Sequence, residues 1–171
     1  MQRQIEVKIL EIDVDEIIGK LTDMGAEIEF DGILISIYFD DKSKRFSKGG
    51  DTLRLRQAHE IKTMAFKENV SKEHAKVKDL LEVKIAEVDV MQNILQALGF
   101  TVLDRSEKRR TEFYNNNFYY NIDSYADIPS YLELEGPDLP SIRSAARELG
   151  FSPDQLKPWS IKDLFAHYKK L

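Results

Sequence analysis

Residues 6–14, EVKILEIDV, are the strongest indication of the fold, because the chain repeats this segment almost unchanged. Residues 82–90 read EVKIAEVDV, which is identical to the first copy at seven of nine positions. Each copy starts with alternating polar and apolar residues, the pattern of a strand with one buried face. A helical pattern follows each copy and ends near Gly25 in the first and near Gly99 in the second. The repeat therefore predicts two related halves.

Strand-like segments continue each half and extend it into a strand–helix–meander unit. After the first strand at 3–11 they lie at 27–39, 51–57 and 62–68, and in the second half at 101–104, 108–114, 117–125 and 130–136. Residues 40–51 are predicted to form a polar hairpin loop, and residues 68–79 a charged, mobile connection. Two amphipathic helical patterns follow in residues 137–171.

The polar faces of these strands carry concentrated charge, acidic in some strands and basic in others. Arg54 and Arg56 alternate with leucines, and Glu133 and Glu135 do the same near the end of the last strand. A closed barrel can turn such faces inward, where charges are costly unless they meet opposite charge or water. We therefore predict an α+β fold, a closed eight-stranded antiparallel β-barrel built from two strand–helix–meander halves, with helices packed outside. A wet tunnel with both signs of charge suits a polyanion and a divalent cation.

Bulk composition limits the class of protein. The 171 residues suit one domain, 1–171, with the barrel in 1–136 and the C-terminal helices in 137–171. A net charge of -5 provides no global field for nucleic acid, and the absence of cysteine excludes disulfides, zinc–thiolate sites and thiol catalysis. No apolar run suggests a membrane span or a signal peptide. We expect a cytoplasmic monomer or homodimer that binds neither nucleic acid nor membrane.

The order and spacing of the charged motifs resemble the CYTH superfamily, also called triphosphate tunnel metalloenzymes. The resemblance rests on IEVKI (5–9), LRLR (53–56), AFKEN (65–69), KRR (108–110) and LELEG (132–136), and it covers residues 2 to 136. The layout of the whole chain is most similar to class IV adenylate cyclases; other members are thiamine triphosphatases, inorganic tripolyphosphatases and fungal RNA triphosphatases. The resemblance implies an eight-stranded tunnel, in agreement with the strand count.

The resemblance also implies site residues. The implied metal ligands are Glu6, Asp123, Glu133 and Glu135. The implied substrate-binding residues, of which Lys8, Arg56 and Lys67 would also be catalytic, are Lys8, Arg54, Arg56, Lys67, Glu82, Lys84, Lys108 and Arg110. Gln4 and Lys84 stand where the family has glutamates, which makes the tunnel less negative. We therefore expect one well-held metal and a weak or absent second one.

The expected function is a Mg²⁺- or Mn²⁺-dependent reaction of a small-molecule triphosphate. The substrate would be ATP, tripolyphosphate or thiamine triphosphate, and the reaction either cyclisation of ATP to cAMP with release of pyrophosphate, or hydrolysis. No motif identifies a nucleobase contact, so the sequence leaves this choice open. A non-catalytic module that binds ATP or polyphosphate is an alternative. A carrier of apolar ligands in a lipocalin-like barrel is disfavoured by the charged inward faces.

Overall fold

The computed structural model describes residues 1–169, and over that range the chain forms eight strands and five α-helices. The strands are β1 Gln2–Ile9, β2 Glu27–Asp40, β3 Thr52–Ala58, β4 Ile61–Ser71, β5 Lys76–Lys84, β6 Thr101–Asn115, β7 Phe118–Tyr125 and β8 Ile128–Gly136. The helices are α1 Val14–Asp23, α2 Arg45–Gly49, α3 Val88–Ala97, α4 Leu139–Glu148 and α5 Ile161–Tyr168. A short 3-10 turn spans Pro153–Gln155.

The eight strands close into an antiparallel barrel in the order β1-β5-β4-β3-β2-β6-β7-β8, which confirms the predicted fold class. Both repeated segments run from a strand to a helix and then into a three-stranded meander. The first strand of each half pairs with the last strand of the other half, β1 with β8 and β5 with β4. The internal repeat in the sequence therefore appears as a repeat of secondary structure.

The two repeated helices end where the sequence predicted. The side chain of Asp13 caps α1 by accepting a hydrogen bond from the backbone N–H of Glu16 at 3.0 Å. Gly25 follows α1 with φ at 74°, and Gly99 follows α3 with φ at 92°. Glycine adopts this left-handed conformation without the steric cost of a Cβ. None of the helices found in residues 1–169 is long and apolar enough to span a membrane.

The chain forms two compact units. The first compact unit contains residues 1–3, 32–70 and 78–108, and the second contains residues 4–31, 71–77 and the chain from 109 onward. In the first, α3 buries Leu95 against Leu53 and Leu55 of β3. In the second, apolar residues of β1 and β8 pack with α1 and α4. Val7 of β1 and Leu134 of β8, for example, belong to the same buried cluster as Ile142 of α4. Because side chains alternate along a strand, the charged residues of these strands lie on the opposite face.

Three local predictions were wrong. Segment 40–51 contains the one-turn helix α2, because the buried Asp40 carboxylate accepts hydrogen bonds from the backbone N–H groups of Phe46 and Ser47 at 3.1 and 2.9 Å. The connection predicted at 68–79 shrinks to residues 72–75, since β4 runs to Ser71 and β5 begins at Lys76. The strands predicted at 101–104 and 108–114 form the single strand β6, because backbone pairing does not require apolar residues at every second position.

Candidate functional site

The polar face of β1 meets the polar face of β8 in the second compact unit. Glu6 lies opposite Glu135 and Lys8 opposite Glu133. Lys8 is only 2% exposed, and its Nζ lies 3.2 Å from Glu6 Oε1 and 2.6 Å from Glu133 Oε2. Burial alone would lower the pKa of the Lys8 ammonium, but the two glutamates outweigh it and raise this pKa above its usual value. Lys8 is therefore a buried, permanently charged group at neutral pH.

Arg110 extends this cluster from β6. Its Nε and Nη2 donate to the two carboxylate oxygens of Asp123 at 2.7 Å each, and Nη2 also donates to Glu133 Oε1 at 2.9 Å. Asp123 has no exposed surface, and the two residues are direct cross-strand neighbours. Although burial opposes the charge of the guanidinium, Asp123 and Glu133 raise the pKa of Arg110 well above its usual value. Glu133 thus joins Lys8 and Arg110 in one network.

Lys76 is a member of this network that the sequence reasoning missed. Its Nζ donates to Glu6 Oε1 at 2.6 Å, so that Glu6 interacts with two lysines. The signal was present, because Lys76, Lys78, Glu82 and Lys84 share one phase of alternation. It was overlooked because the start of β5 was assigned to a loop.

A second cluster lies in the first compact unit, on the polar face shared by β3 and β4. The cross-strand pairs there are Arg54 with Ala65, Arg56 with Thr63, and Thr52 with Lys67. Arg54 is 6% exposed, its Nη2 lies 3.9 Å from Glu82 Oε2, and its Nε has no hydrogen-bond partner among residues 1–169. A buried guanidinium with an unmet donor is unusual in a folded protein and marks a place for an acceptor.

The remaining cations of the first compact unit differ in their exposure. Lys78, also missed by the sequence reasoning, is 7% exposed and donates from Nζ to the backbone carbonyl of Gly50 at 2.6 Å and to Thr52 Oγ1 at 3.3 Å. Lys67 and Lys108 are half-buried, whereas Lys84 is exposed at the end of β5. The substrate-binding roles assigned to the last three lysines stay predictions.

Gln4, which replaces a family glutamate, lies at the edge of the β1–β8 cluster. Its Nε2 donates to both carboxylate oxygens of Glu135, at 3.2 and 3.3 Å. Its Oε1 is buried and has no hydrogen-bond partner in the part of the chain that the structure describes. The amide therefore supports Glu135 with a donor, where a glutamate would bring a second negative charge.

Three of the carboxylates predicted to bind metal are engaged by cations. Within residues 1–169 no group of three or more histidine or acidic side chains is spaced to hold a metal ion. Glu6, Asp123 and Glu133 are instead held by Lys8, Lys76 or Arg110, as the distances above show. The donor chemistry still fits Mg²⁺, which prefers oxygen ligands, because the buried amide oxygen of Gln4, unpaired within residues 1–169, accompanies the carboxylates. The metal ligands stay a prediction.

The chain belongs to the CYTH domain family, whose sequence model matches residues 2–153. A Methanocaldococcus jannaschii protein named "Putative adenylate cyclase MJ0240" is 24% identical over 132 residues, which cover 77% of this chain and 75% of that protein. Family membership confirms the resemblance inferred from the charged motifs and supports an enzyme of the triphosphate-tunnel class.

Solved structures share the fold at low sequence identity. A Vibrio parahaemolyticus "putative adenylate cyclase" superimposes with a TM-score of 0.83 at 18% identity and covers 96% of this chain and 98% of its own. A Hippeastrum "putative adenylyl cyclase", HpAC1, described as having a dominant triphosphatase activity, gives a TM-score of 0.61 at 12% identity, covering 94% of this chain and 91% of its own. Likeness at this level of identity establishes the common barrel.

Proposed function

We propose that this protein is a divalent-metal-dependent enzyme that acts on a small-molecule triphosphate, as an adenylate cyclase or a triphosphatase. The observation that carries the proposal is Arg54, a guanidinium 6% exposed whose Nε has no acceptor within the described residues. An arginine pays a high desolvation cost when its donors are unmet, and phosphate oxygens satisfy its planar fork. A triphosphate supplies such oxygens at short intervals.

The alternation of β3 places Arg54 and Arg56 on one face, two residues apart. Their forked donors would bind successive phosphate groups, and Lys67 on the neighbouring strand would add positive charge. In the second compact unit, carboxylates hold the side chains of Lys8 and Arg110 in place. Their positive charges therefore need no reorganisation when a substrate binds. A divalent metal, when bound by Glu6, Asp123, Glu133 and Glu135, would neutralise charge that develops on the phosphate oxygens. No covalent protein nucleophile is required.

The names of the relatives support both reactions. The M. jannaschii and V. parahaemolyticus proteins carry an adenylate cyclase name, whereas the Hippeastrum protein is described by its triphosphatase activity. In the first reaction the ribose 3′-hydroxyl attacks the α-phosphorus and pyrophosphate leaves. In the second, water attacks the terminal phosphorus and orthophosphate leaves. Fixed cations that bind phosphate oxygens would serve either reaction, because the outcome would depend on which phosphorus lies next to the attacking hydroxyl or water.

A substrate panel tests the proposal. The protein is incubated with Mg²⁺ or Mn²⁺ and ATP, GTP, tripolyphosphate or thiamine triphosphate, and products are separated by chromatography. We expect turnover of at least one triphosphate: cAMP would identify a cyclase and orthophosphate a triphosphatase. Tight binding without any product would favour the non-catalytic module, to which the cation-paired state of Glu6 and Glu133 is suited. If no triphosphate binds or reacts, the proposal fails.

Arg56→Ala is expected to weaken triphosphate binding by about 1.5–3 kcal/mol, the usual contribution of a hydrogen bond to a charged group. Arg56 shares its strand face with Arg54 and lies beside Thr63. Calorimetric titration with tripolyphosphate measures the change. Arg105→Ala, an exposed arginine that hydrogen-bonds Gln92 on α3, is the matched control and should bind like the wild type. An unchanged dissociation constant in folded Arg56→Ala would remove this residue from the site.

A further inference from the structure

Asn121 has a buried side chain for which the proposed chemistry has no use. It lies on β7, on the same strand face as Tyr119 and Asp123, and only 2% of it is exposed. Its Oδ1 has no hydrogen-bond partner within residues 1–169. Buried polar groups are nearly always paired, so an idle amide on this face points to a partner that arrives with a ligand.

The neighbours of Asn121 show that the amide is not needed to hold the charged network. Its cross-strand partners are Glu112 on β6 and Glu133 on β8. Arg110 reaches both of them, with Nη2 2.9 Å from Glu133 and Nη1 3.6 Å from Glu112. The Arg110 guanidinium thus interacts with the carboxylates on either side of Asn121, and it does not donate to Asn121 Oδ1.

An aromatic pair lies one step along the same strand face. Tyr119 is 36% exposed, and its ring centroid lies 5.0 Å from that of Tyr114 at an interplanar angle of 49°. Partial burial raises the pKa of Tyr119, and the nearby carboxylates of Glu112 and Glu135 raise it further. The surroundings of the amide are therefore aromatic and acidic, which favours a flat ligand that donates hydrogen bonds.

We propose that Asn121, with Tyr114 and Tyr119, forms a nucleobase subsite that selects adenine. An asparagine amide can pair with adenine at two points: the oxygen accepts from the exocyclic N6 amino group and the nitrogen donates to N7. Tyrosine rings can stack on any base, so they contribute affinity, and the amide contributes the choice of base. Guanine presents an acceptor, O6, where adenine presents its amino group, and the carboxylates of Glu112 and Glu135 disfavour an acceptor there.

This inference rests on the proposed triphosphate function and specifies that the triphosphate is an adenine nucleotide. It also assigns the amide a role that is separate from metal binding. Tripolyphosphate has no base, so its binding should be independent of Asn121. The comparison of ATP, GTP and tripolyphosphate therefore separates the base subsite from the phosphate-binding cations.

The test measures dissociation constants of ATP, GTP and tripolyphosphate by calorimetry in Mg²⁺ for the wild type and Asn121→Leu. We expect the wild type to prefer ATP to GTP, and Asn121→Leu to weaken ATP binding about tenfold, erase the preference and leave tripolyphosphate unchanged. Asn93→Leu, the same change on the exposed surface of α3, should behave as the wild type. Tyr119→Ser, at a half-exposed position that tolerates change, should weaken ATP and GTP alike through lost stacking, by about tenfold.

Each contrary outcome has a distinct meaning. If the wild type binds none of the three compounds, the proposed function is overturned and the adenine subsite with it. If it binds all three and Asn121→Leu changes them equally or not at all, only the adenine subsite is overturned. A loss of Mn²⁺ binding in Asn121→Leu, measured by electron paramagnetic resonance without nucleotide, would assign the amide to the metal and also overturn the inference.

Discussion

Arg110→Met is expected to lower the free energy of unfolding by about 3–5 kcal/mol, the cost of removing one partner from a buried ion pair. Asp123 has no exposed surface, and both of its carboxylate oxygens accept from Arg110 at 2.7 Å. Methionine fills similar space but leaves this carboxylate without its bidentate donor. The free energy of unfolding of Arg110→Lys should lie between those of the wild type and Arg110→Met, because an ammonium restores the charge but not the planar fork. Urea denaturation monitored by circular dichroism measures the differences.

The neighbouring residue provides the control. Arg109 donates from Nη2 to both oxygens of Asp31 at 2.9 Å, but the two side chains are 58% and 44% exposed. Solvent screens such a pair, so Arg109→Met should cost no more than about 1 kcal/mol. Equal losses for the two methionine variants would show that burial of the Arg110 pair does not determine its contribution.

The pH dependence of the Arg110 effect follows from the sign of its pKa shift. The pKa of Arg110 is raised in the folded protein, so its stabilisation is fully present below the unfolded value and is lost only as the pH rises through the folded one. Both pKa values of Arg110, unfolded and folded, lie above the pH range in which the protein would be studied. Between about pH 6 and 9 the guanidinium itself therefore adds no pH dependence to the difference between wild type and Arg110→Met, and a decrease of that difference on the acid side would report protonation of Asp123, which is buried without its donor in the variant.

Alternation along the strands was enough to predict which residues share a face. The phase of Glu6 and Lys8, and that of Glu133 and Glu135, follows from the two-residue period, and the structure pairs them across β1 and β8. The repeat of residues 6–14 at 82–90 predicted the two halves for a similar reason, since each copy is a local pattern. Local sequence patterns were therefore sufficient to predict the barrel and the charged faces of its strands.

The contacts between charged residues could not be predicted, because they depend on register and strand order. Nothing near Glu6 in the sequence indicates Lys76, which lies seventy positions away and donates to it at 2.6 Å. Likewise, the link from Arg110 to Glu133 depends on the neighbouring positions of β6, β7 and β8. Asn121 escaped notice because an uncharged residue between apolar neighbours has no sequence signal; only its unpaired oxygen singles it out.

The amide of Gln4 stands where the resemblance to the CYTH family implies a carboxylate. Its Nε2 donates to Glu135 at 3.2 and 3.3 Å, so Gln4→Glu would replace a donor by a second negative group in contact with Glu135. Without metal, we expect a loss of about 1–3 kcal/mol in the free energy of unfolding, since a hydrogen bond is lost and like charges meet. A divalent cation should restore this stability, because it binds the charge that destabilises the metal-free protein.

The same substitution should strengthen metal binding about tenfold, since added ligand charge raises the affinity of an oxygen site for a divalent cation. Calorimetric titration with Mn²⁺ and Mg²⁺, without substrate, measures this directly, and melting temperatures with and without metal check the rescue. Gln96→Glu, on the exposed surface of α3, adds the same charge away from the cluster and should leave both quantities unchanged.

Glu6→Gln should act in the opposite direction and more strongly. It removes charge from a predicted ligand and also leaves Lys8 and Lys76 with one carboxylate fewer, at positions now 3.2 and 2.6 Å from Glu6 Oε1. We expect metal affinity to fall by more than about tenfold. If Glu6→Gln binds metal like the wild type, Glu6 is not a ligand, and its role is to neutralise the two lysines. In that case the gain in Gln4→Glu must come from the added carboxylate together with Glu135, without Glu6, and the double variant Gln4→Glu/Glu6→Gln should retain it in full.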